Sequence, residues 1–201
     1  MRIYDDIQLD YQDVLLRPKR STLASRSQVD IIRQYNFKWS PSSVKGTGII
    51  AANMATTGTM EMASVLQKHN LFSALHKHYD AKELINFLKN NKEQFGNNDL
   101  IFISSGVGQA DYAKLEEVMQ SKLVNNICID VANGYSPYLI QYVKKVRQAW
   151  PEALIMAGNV VTGDMTEDLI LNGVDIVKVG IGPGSVCTTR KLTGVGRPQF
   201  S

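Results

Sequence analysis

The sequence predicts an α/β fold of the (β/α)8 TIM barrel kind, with about six of the eight strands present in 201 residues. Three observations carry this. Six short apolar runs recur on a roughly 25-residue beat, as successive right-handed βα units do. Several are near-continuous in Ile, Val, Leu and Ala rather than alternating, as strands covered on both faces are. Polar or reactive residues, namely Asn53, Lys77, Ser104-Ser105, Asp130, Asn159 and Cys187, follow the runs. Function spread over the C-terminal ends of many strands is the barrel arrangement.

In chain order, residues 1–47 read as a polar N-terminal extension. Strand character over Val29 to Phe37 fits a capping hairpin there. Residues 48–201 read as the N-terminal part of a single barrel domain. Its strand runs are Gly48 to Met54, Leu71 to Lys77, Leu100 to Gly106, Asn126 to Ala132, Ala153 to Asn159 and Asp175 to Ile181. Helical periodicity covers Thr59 to Lys68, Ala81 to Lys89, Ala110 to Met119, Pro137 to Ala149 and Met165 to Leu171. Pro137 after Ser136 suits a first helical turn, and Pro151 ends that helix. Asp164 reads as an N-cap, with Glu167 completing a capping box. A doubly wound open sheet would place a glycine-rich phosphate loop after its first strand. Here that strand ends Asn53-Met54-Ala55-Thr56 with no G-x-G-x-x-G, which favours the barrel. Six strands do not close a barrel of eight, so either the sheet is open or the chain as given lacks its last portion.

Composition narrows the function classes. At 44% hydrophobic the chain can bury a sizeable core. Its 22 basic and 19 acidic residues leave +3, with the basic residues dispersed apart from Arg17-Pro18-Lys19-Arg20. That argues against a nucleic-acid partner. Two cysteines, one in an apolar run and one in a glycine loop, make no disulfide framework and suit a reducing compartment. The start, Met1 to Asp10, carries three aspartates and no long apolar core, so no secretory signal is expected. No apolar run approaches the roughly 20 residues needed to cross a bilayer. A cytoplasmic protein without a membrane partner is expected.

The chemistry concentrates in Gly180-Ile181-Gly182-Pro183-Gly184-Ser185-Val186-Cys187-Thr188-Thr189-Arg190. Cys187 sits among Ser, Thr and Arg rather than aliphatics. Exposed amides and Arg190 would favour its thiolate, so it reads as a nucleophile. Cys128, in Ile127-Cys128-Ile129, reads as a small buried hydrophobe. The Gly182-Pro183-Gly184 turn fits a plain loop, a phosphate cradle or a ring of carbonyls for a monovalent cation; its residues do not choose between them. Lys77, in His76-Lys77-His78-Tyr79, fits a contact to a phosphate or cofactor amide, or a solvated lysine. His76 and His78 share a face but lack a companion ligand pattern for a metal. Ser104-Ser105-Gly106-Val107-Gly108 fits a cofactor loop or an ordinary βα turn. Asp130 is an interior carboxylate that needs a partner, either a ligand or the lysine Lys77.

Gly180 to Arg190 followed by Thr193-Gly194-Val195-Gly196 resembles the catalytic cysteine loop of the IMP dehydrogenase and GMP reductase family. Leu15 to Leu23, Ala51-Ala52-Asn53-Met54, His76 to Tyr79, Asp130 to Ser136 and Ala157 to Gly163 resemble the reductase branch, in order along the chain. One ordinary helix follows Tyr79, with no room for the nucleotide-sensing insertion that dehydrogenases usually carry there. The resemblance implies NADPH-dependent reductive deamination of GMP to IMP and ammonia through a thioimidate on Cys187. It implies that Thr189 helps protonate the departing amine, and that Lys77 and Asp130 position the cofactor amide and the ammonia. Ser25 and Arg26 match contacts to NADPH from a neighbouring subunit, and Asp130, Val131, Ala132, Ile181 and Gly182 match its nicotinamide side. Carbonyls of Gly182, Gly184 and Cys187, with Arg190 nearby, match a potassium loop. A homotetramer is the assembly expected, although the residues themselves do not give an oligomeric state. Two positions depart from the family: Ala55 stands where aspartate is usual and Arg197 where the reductases usually have tyrosine. The resemblance also implies two further strands, a second phosphate-binding glycine motif and a mobile flap beyond Ser201. A chain ending at Ser201 is therefore expected to lack a competent site.

Overall fold

The computed structural model describes residues 3 and 5–201. A two-stranded antiparallel ribbon, β1 (Arg33–Tyr35) and β2 (Val44–Gly46), precedes a six-stranded parallel sheet. The sheet runs β3 (Ile50–Ala51), β4 (Phe72–Leu75), β5 (Ile101–Ser105), β6 (Asn126–Asp130), β7 (Leu154–Val160) and β8 (Ile176–Val179). Between these strands lie α1 (Met60–Gln67), α2 (Ala81–Phe95), α3 (Gln109–Gln120), α4 (Pro137–Ala149) and α5 (Gly163–Leu171). Strand order in space equals order in the chain. With right-handed crossovers that puts the helices on one face, whereas a doubly wound sheet must reverse its order. These are six consecutive units of a (β/α)8 barrel.

Strand parity separates two cores. Leu75, Ile101, Ile103, Ile127, Ile129 and Ile155 point toward the helices and pack with Leu84, Leu88, Leu115, Val143, Val146 and Leu169. Phe72, Ala74, Leu100, Phe102, Cys128, Leu154 and Met156 point inward and take no helical residue. The ribbon fills that space instead: Val44 is buried in the cluster, with Tyr35 and Phe37 against it. The predicted capping hairpin thus plugs the N-terminal end of the barrel.

Asp175, just before β8, ties this plug to the sheet. Its Oδ1 accepts the amides of Trp39 and Ser40 at 3.1 Å each. Its Oδ2 accepts Arg147 Nη2 at 2.6 Å and the amide of Ile155 at 3.0 Å.

Two helical expectations change. α2 continues six residues past Lys89 and stops at Gly96, whose φ of 83° few other residues adopt. Periodicity fails there because the inward residue is polar: buried Asn91 donates to Gln67 Oε1 and Asn98 Oδ1, both at 2.8 Å. The Asp164 cap is overturned. α5 starts at Gly163 with extended Thr162 as its N-cap, leaving Asp164 inside the first turn. The Thr162 hydroxyl accepts from Tyr135 at 3.1 Å, so the preceding strand's loop sets this helix start. Among the described residues, no helix is long and apolar enough to cross a membrane.

Candidate active site at the cysteine loop

The chain leaves β8 through Gly180 (φ 140°) and Gly182 (φ 66°), conformations that favour glycine. It then turns at Gly184 and enters α6 (Thr189–Thr193). The turn closes where the Cys187 amide donates to the Gly184 carbonyl at 3.0 Å. Half-buried Cys187 places Sγ 3.2 Å from Thr189 Oγ1. Hydrogen bonds from the Thr189 hydroxyl, then from its amide, hold the thiol below its ordinary pKa, and Arg190 adds a smaller pull. The sequence reading gives that role to the loop amides and Arg190; both contribute, behind the Thr189 hydroxyl, and the Arg190 guanidinium is itself paired with Asp10.

Arg190 forks onto Asp10, Nη1 to Oδ2 at 3.2 Å and Nη2 to Oδ1 at 3.4 Å, and Nη2 also donates to the Arg197 carbonyl at 2.8 Å. Its stem runs between glycines: a Cβ at Gly182 would lie 3.1 Å from Arg190 Cγ, and one at Gly196 only 2.6 Å. The Gln199 amide donates to Asp10 Oδ1 at 2.8 Å. Arg190 first, and Gln199 after it, hold the Asp10 carboxyl below the usual carboxylate range. A cavity of about 720 Å³ lies over this group, lined by Cys187, Gly182, Gly184, Arg190, Asp10 and Gln199 among others. Nothing in the sequence marks Asp10 as part of this group. It lies 180 residues from Arg190, in a segment without periodicity.

A second cluster lies inside the barrel mouth. Lys178 on β8 donates Nζ to Asn53 Oδ1 at 2.6 Å and forms an ion pair with Asp130 at the end of β6. Sheet register aligns Asp130 with Gly158 and Gly158 with Lys178. Of the two partners expected for Asp130, a ligand or Lys77, the lysine is exposed and forms no ion pair with Asp130 among the described residues. Its backbone carbonyl accepts instead from Lys114 Nζ, which also reaches the Tyr79 carbonyl at 3.3 Å. Burial lowers the pKa of that Lys114 amine. Lys178 was legible in principle. It is a charged residue at inward parity in Ile176-Val177-Lys178-Val179, two positions after inward Ile176.

The remaining predicted positions are dispersed. Val131 donates to the Gly158 carbonyl at 3.0 Å, Ala132 is exposed beyond it, and the Ile181 carbonyl accepts the Arg197 amide at 3.1 Å. Ser25 caps the short turn Arg26–Gln28, which is exposed and does not line the cysteine cavity. Cys128 is fully buried, and burial pushes its thiol up to about 11 against the opposing pull of Lys178. For a cation, the loop's donors are backbone carbonyls, since among the described residues no cluster of three His, Cys, Asp or Glu could hold a metal. Carbonyl oxygens suit a hard monovalent ion, and Gly182 brings no side chain between its carbonyl and such an ion. The Arg190 side chain is itself cationic and paired with Asp10, so it can stand beside an ion but not ligate it.

Parallel βα units with a cysteine loop after the sixth inner strand, lining a cavity, make a partial (β/α)8 barrel with a candidate site at that loop. Residues 8–201 match the family model described as IMP dehydrogenase / GMP reductase domain, and the chain belongs to that family. It is 54% identical over 202 residues to the GMP reductase of Shewanella pealeana, covering all of this chain and 58% of that protein. It is 54% identical over 200 residues to GMP reductase 2 of Homo sapiens, covering 99% of this chain and 57% of that protein. The crystal structure of inosine 5' monophosphate dehydrogenase from Legionella pneumophila superposes with a TM-score of 0.80 at 29% identity. That match covers 96% of this chain and 56% of that one. The chain thus spans a little over half the length of the curated relatives it matches.

Proposed function

We propose that this chain serves GMP reductase chemistry, the reductive deamination of GMP to IMP and ammonia, in purine salvage. The observation that carries the reading is Cys187, held in a glycine loop with the Thr189 hydroxyl at 3.2 Å and its thiol pKa lowered. Identity of about 54% to GMP reductases along the whole chain supports the reductase branch.

In this reading Cys187 Sγ adds to purine C2, and the C2–N2 bond then breaks, leaving a thioimidate. The departing nitrogen takes a proton, which the Thr189 hydroxyl can relay because it already bonds to the sulfur. NADPH, when bound, supplies the hydride that C2 needs. The C2–S bond finally breaks, returning the thiolate and releasing IMP. Asp130 and Lys77 orient the cofactor amide and the ammonia, with Val131, Ala132, Ile181 and Gly182 along the nicotinamide side. Ser25 and Arg26 do not line the cysteine cavity and are exposed, which fits a contact to cofactor in a neighbouring copy of a homotetramer. Carbonyls of Gly182, Gly184 and Cys187, with Arg190 adjacent, would hold a potassium ion that fixes the loop's shape. The setting proposed is the cytoplasm.

The test is incubation with GMP and NADPH, following loss of the reduced-cofactor absorbance, with Cys187→Ala as control. Turnover that disappears in Cys187→Ala supports the reading. Consumption of IMP with NAD instead would place the chain with the dehydrogenases, and turnover surviving in Cys187→Ala would refute the nucleophile.

A further inference from the structure

Lys178 has no part in the chemistry above, yet it is the cation at the floor of the barrel mouth. Its two partners come from distant strands: Asn53 follows β3 and Asp130 ends β6. Lys178 and Asp130 are two strands apart, about 10 Å between strand axes, with β7 between them. They meet because the residue between them in the row is Gly158. A Cβ there would lie 2.7 Å from Lys178 Cβ and 2.5 Å from the Lys178 carbonyl oxygen. The side chains are 18% exposed for Lys178 and 28% for Asp130. Both are thus partly buried, where a charged pair is screened by salt less than at the surface.

We propose that Lys178 is a positioning residue, fixing Asn53 and Asp130 as a donor and acceptor aimed at a nucleotide in the barrel mouth. The inference rests on the nucleotide reading above. An ammonium only donates, so it must meet the carbonyl oxygen of the Asn53 amide, which turns Asn53 Nδ2 outward as a donor. The ion pair uses Asp130 Oδ1, leaving Oδ2 as an acceptor. The lysine thereby selects one of two amide orientations and holds the carboxylate beside it. The pair complements a ligand group that accepts and donates at adjacent atoms.

The test compares Lys178→Met, which keeps the stem and removes the charge, with Lys178→Arg. Two readouts are taken: side-chain amide NMR signals of Asn53, assigned with Asn53→Asp, and NADPH affinity by fluorescence titration. Lys178→Met is expected to move the Asn53 signals while those of buried Asn91 and Asn98 stay in place. It is also expected to weaken NADPH binding about tenfold or more, the effect of losing charge-assisted contacts. Lys178→Arg should restore affinity to within about threefold. Unmoved Asn53 signals and unchanged NADPH affinity in Lys178→Met would overturn the proposal. So would shifts spread over Asn53, Asn91 and Asn98 alike, which would mark a purely structural role. If the unmodified protein neither binds NADPH nor turns over GMP, the activity reading fails, and the Asn53 signals still decide what the lysine does.

Discussion

Replacing Asp175 with asparagine tests whether the ribbon, the sheet and β8 are held at one point. The carboxylate is fully enclosed, with none of its side chain exposed. Four groups face it, the amides of Trp39, Ser40 and Ile155 and the Arg147 guanidinium, and all four are donors. Asn fits the space but must turn an N–H2 toward two of them. Breaking a buried ion pair typically costs about 3–5 kcal/mol. Here the lower end applies, because Arg147 keeps the carbonyls of Gly173, Pro151 and Ala153 and is not stranded. Asp175→Asn is therefore expected to lose about 3 kcal/mol, which lowers a urea midpoint by roughly 1–2 M. Equilibrium urea unfolding followed by far-UV circular dichroism measures it, with Asp175→Ala as a companion. A loss under about 1 kcal/mol in both variants would refute the idea that these donors depend on the carboxylate.

Three further outcomes follow from the site. Thr189→Val removes the main group holding the Cys187 thiol down, so alkylation by iodoacetamide at pH 7 should slow by about three- to tenfold and converge with the parent in strong base. An unchanged pH–rate profile would discard that assignment, and Cys128, at about 11, should stay unlabelled in the native protein. Asp10 has a folded pKa below its unfolded value, so its contribution is present above about pH 4 and is lost as pH falls through the lowered value. Asp10→Asn should flatten that part of the acid limb of melting temperature against pH, and parallel acid limbs would count against the Arg190 contact. Gly158→Ala should cost about 1–3 kcal/mol in urea unfolding, the usual penalty of overpacking, because its Cβ meets backbone that cannot yield. A neutral Gly158→Ala would mean that the row relaxes easily.

What could be read from the sequence follows from how far each signal reaches. The inner strands and α4 were legible because periodicity and capping act within a few residues, and each apolar run contains its strand except that β7 extends one residue further, to Val160. Cys187 and Asp130 stand out as candidates because a reactive group at a strand's end needs no partner to be noticed. α2 was cut short at Lys89 because its continuation is held by Asn91, whose polarity is offset only by Gln67 and Asn98 after folding. The cap at Asp164 failed for the same kind of reason, since Thr162 is set by Tyr135 from the preceding βα unit.

Partnerships were the part that stayed hidden. Lys178 reaches partners 48 and 125 residues away, and Arg190 one 180 residues away. Whether Asp130 meets Lys77 or Lys178 depends on register across β6, β7 and β8, and on a glycine between them whose role appears only once the strands are aligned. In a parallel barrel, neighbours in space are separated by whole βα units, so each cross-strand pair is long-range by construction. A single sequence can show which strand ends carry polar or reactive residues. Which of them act together is decided by the row they share in the sheet, and the Asp130–Gly158–Lys178 row is where this site's electrostatics are set.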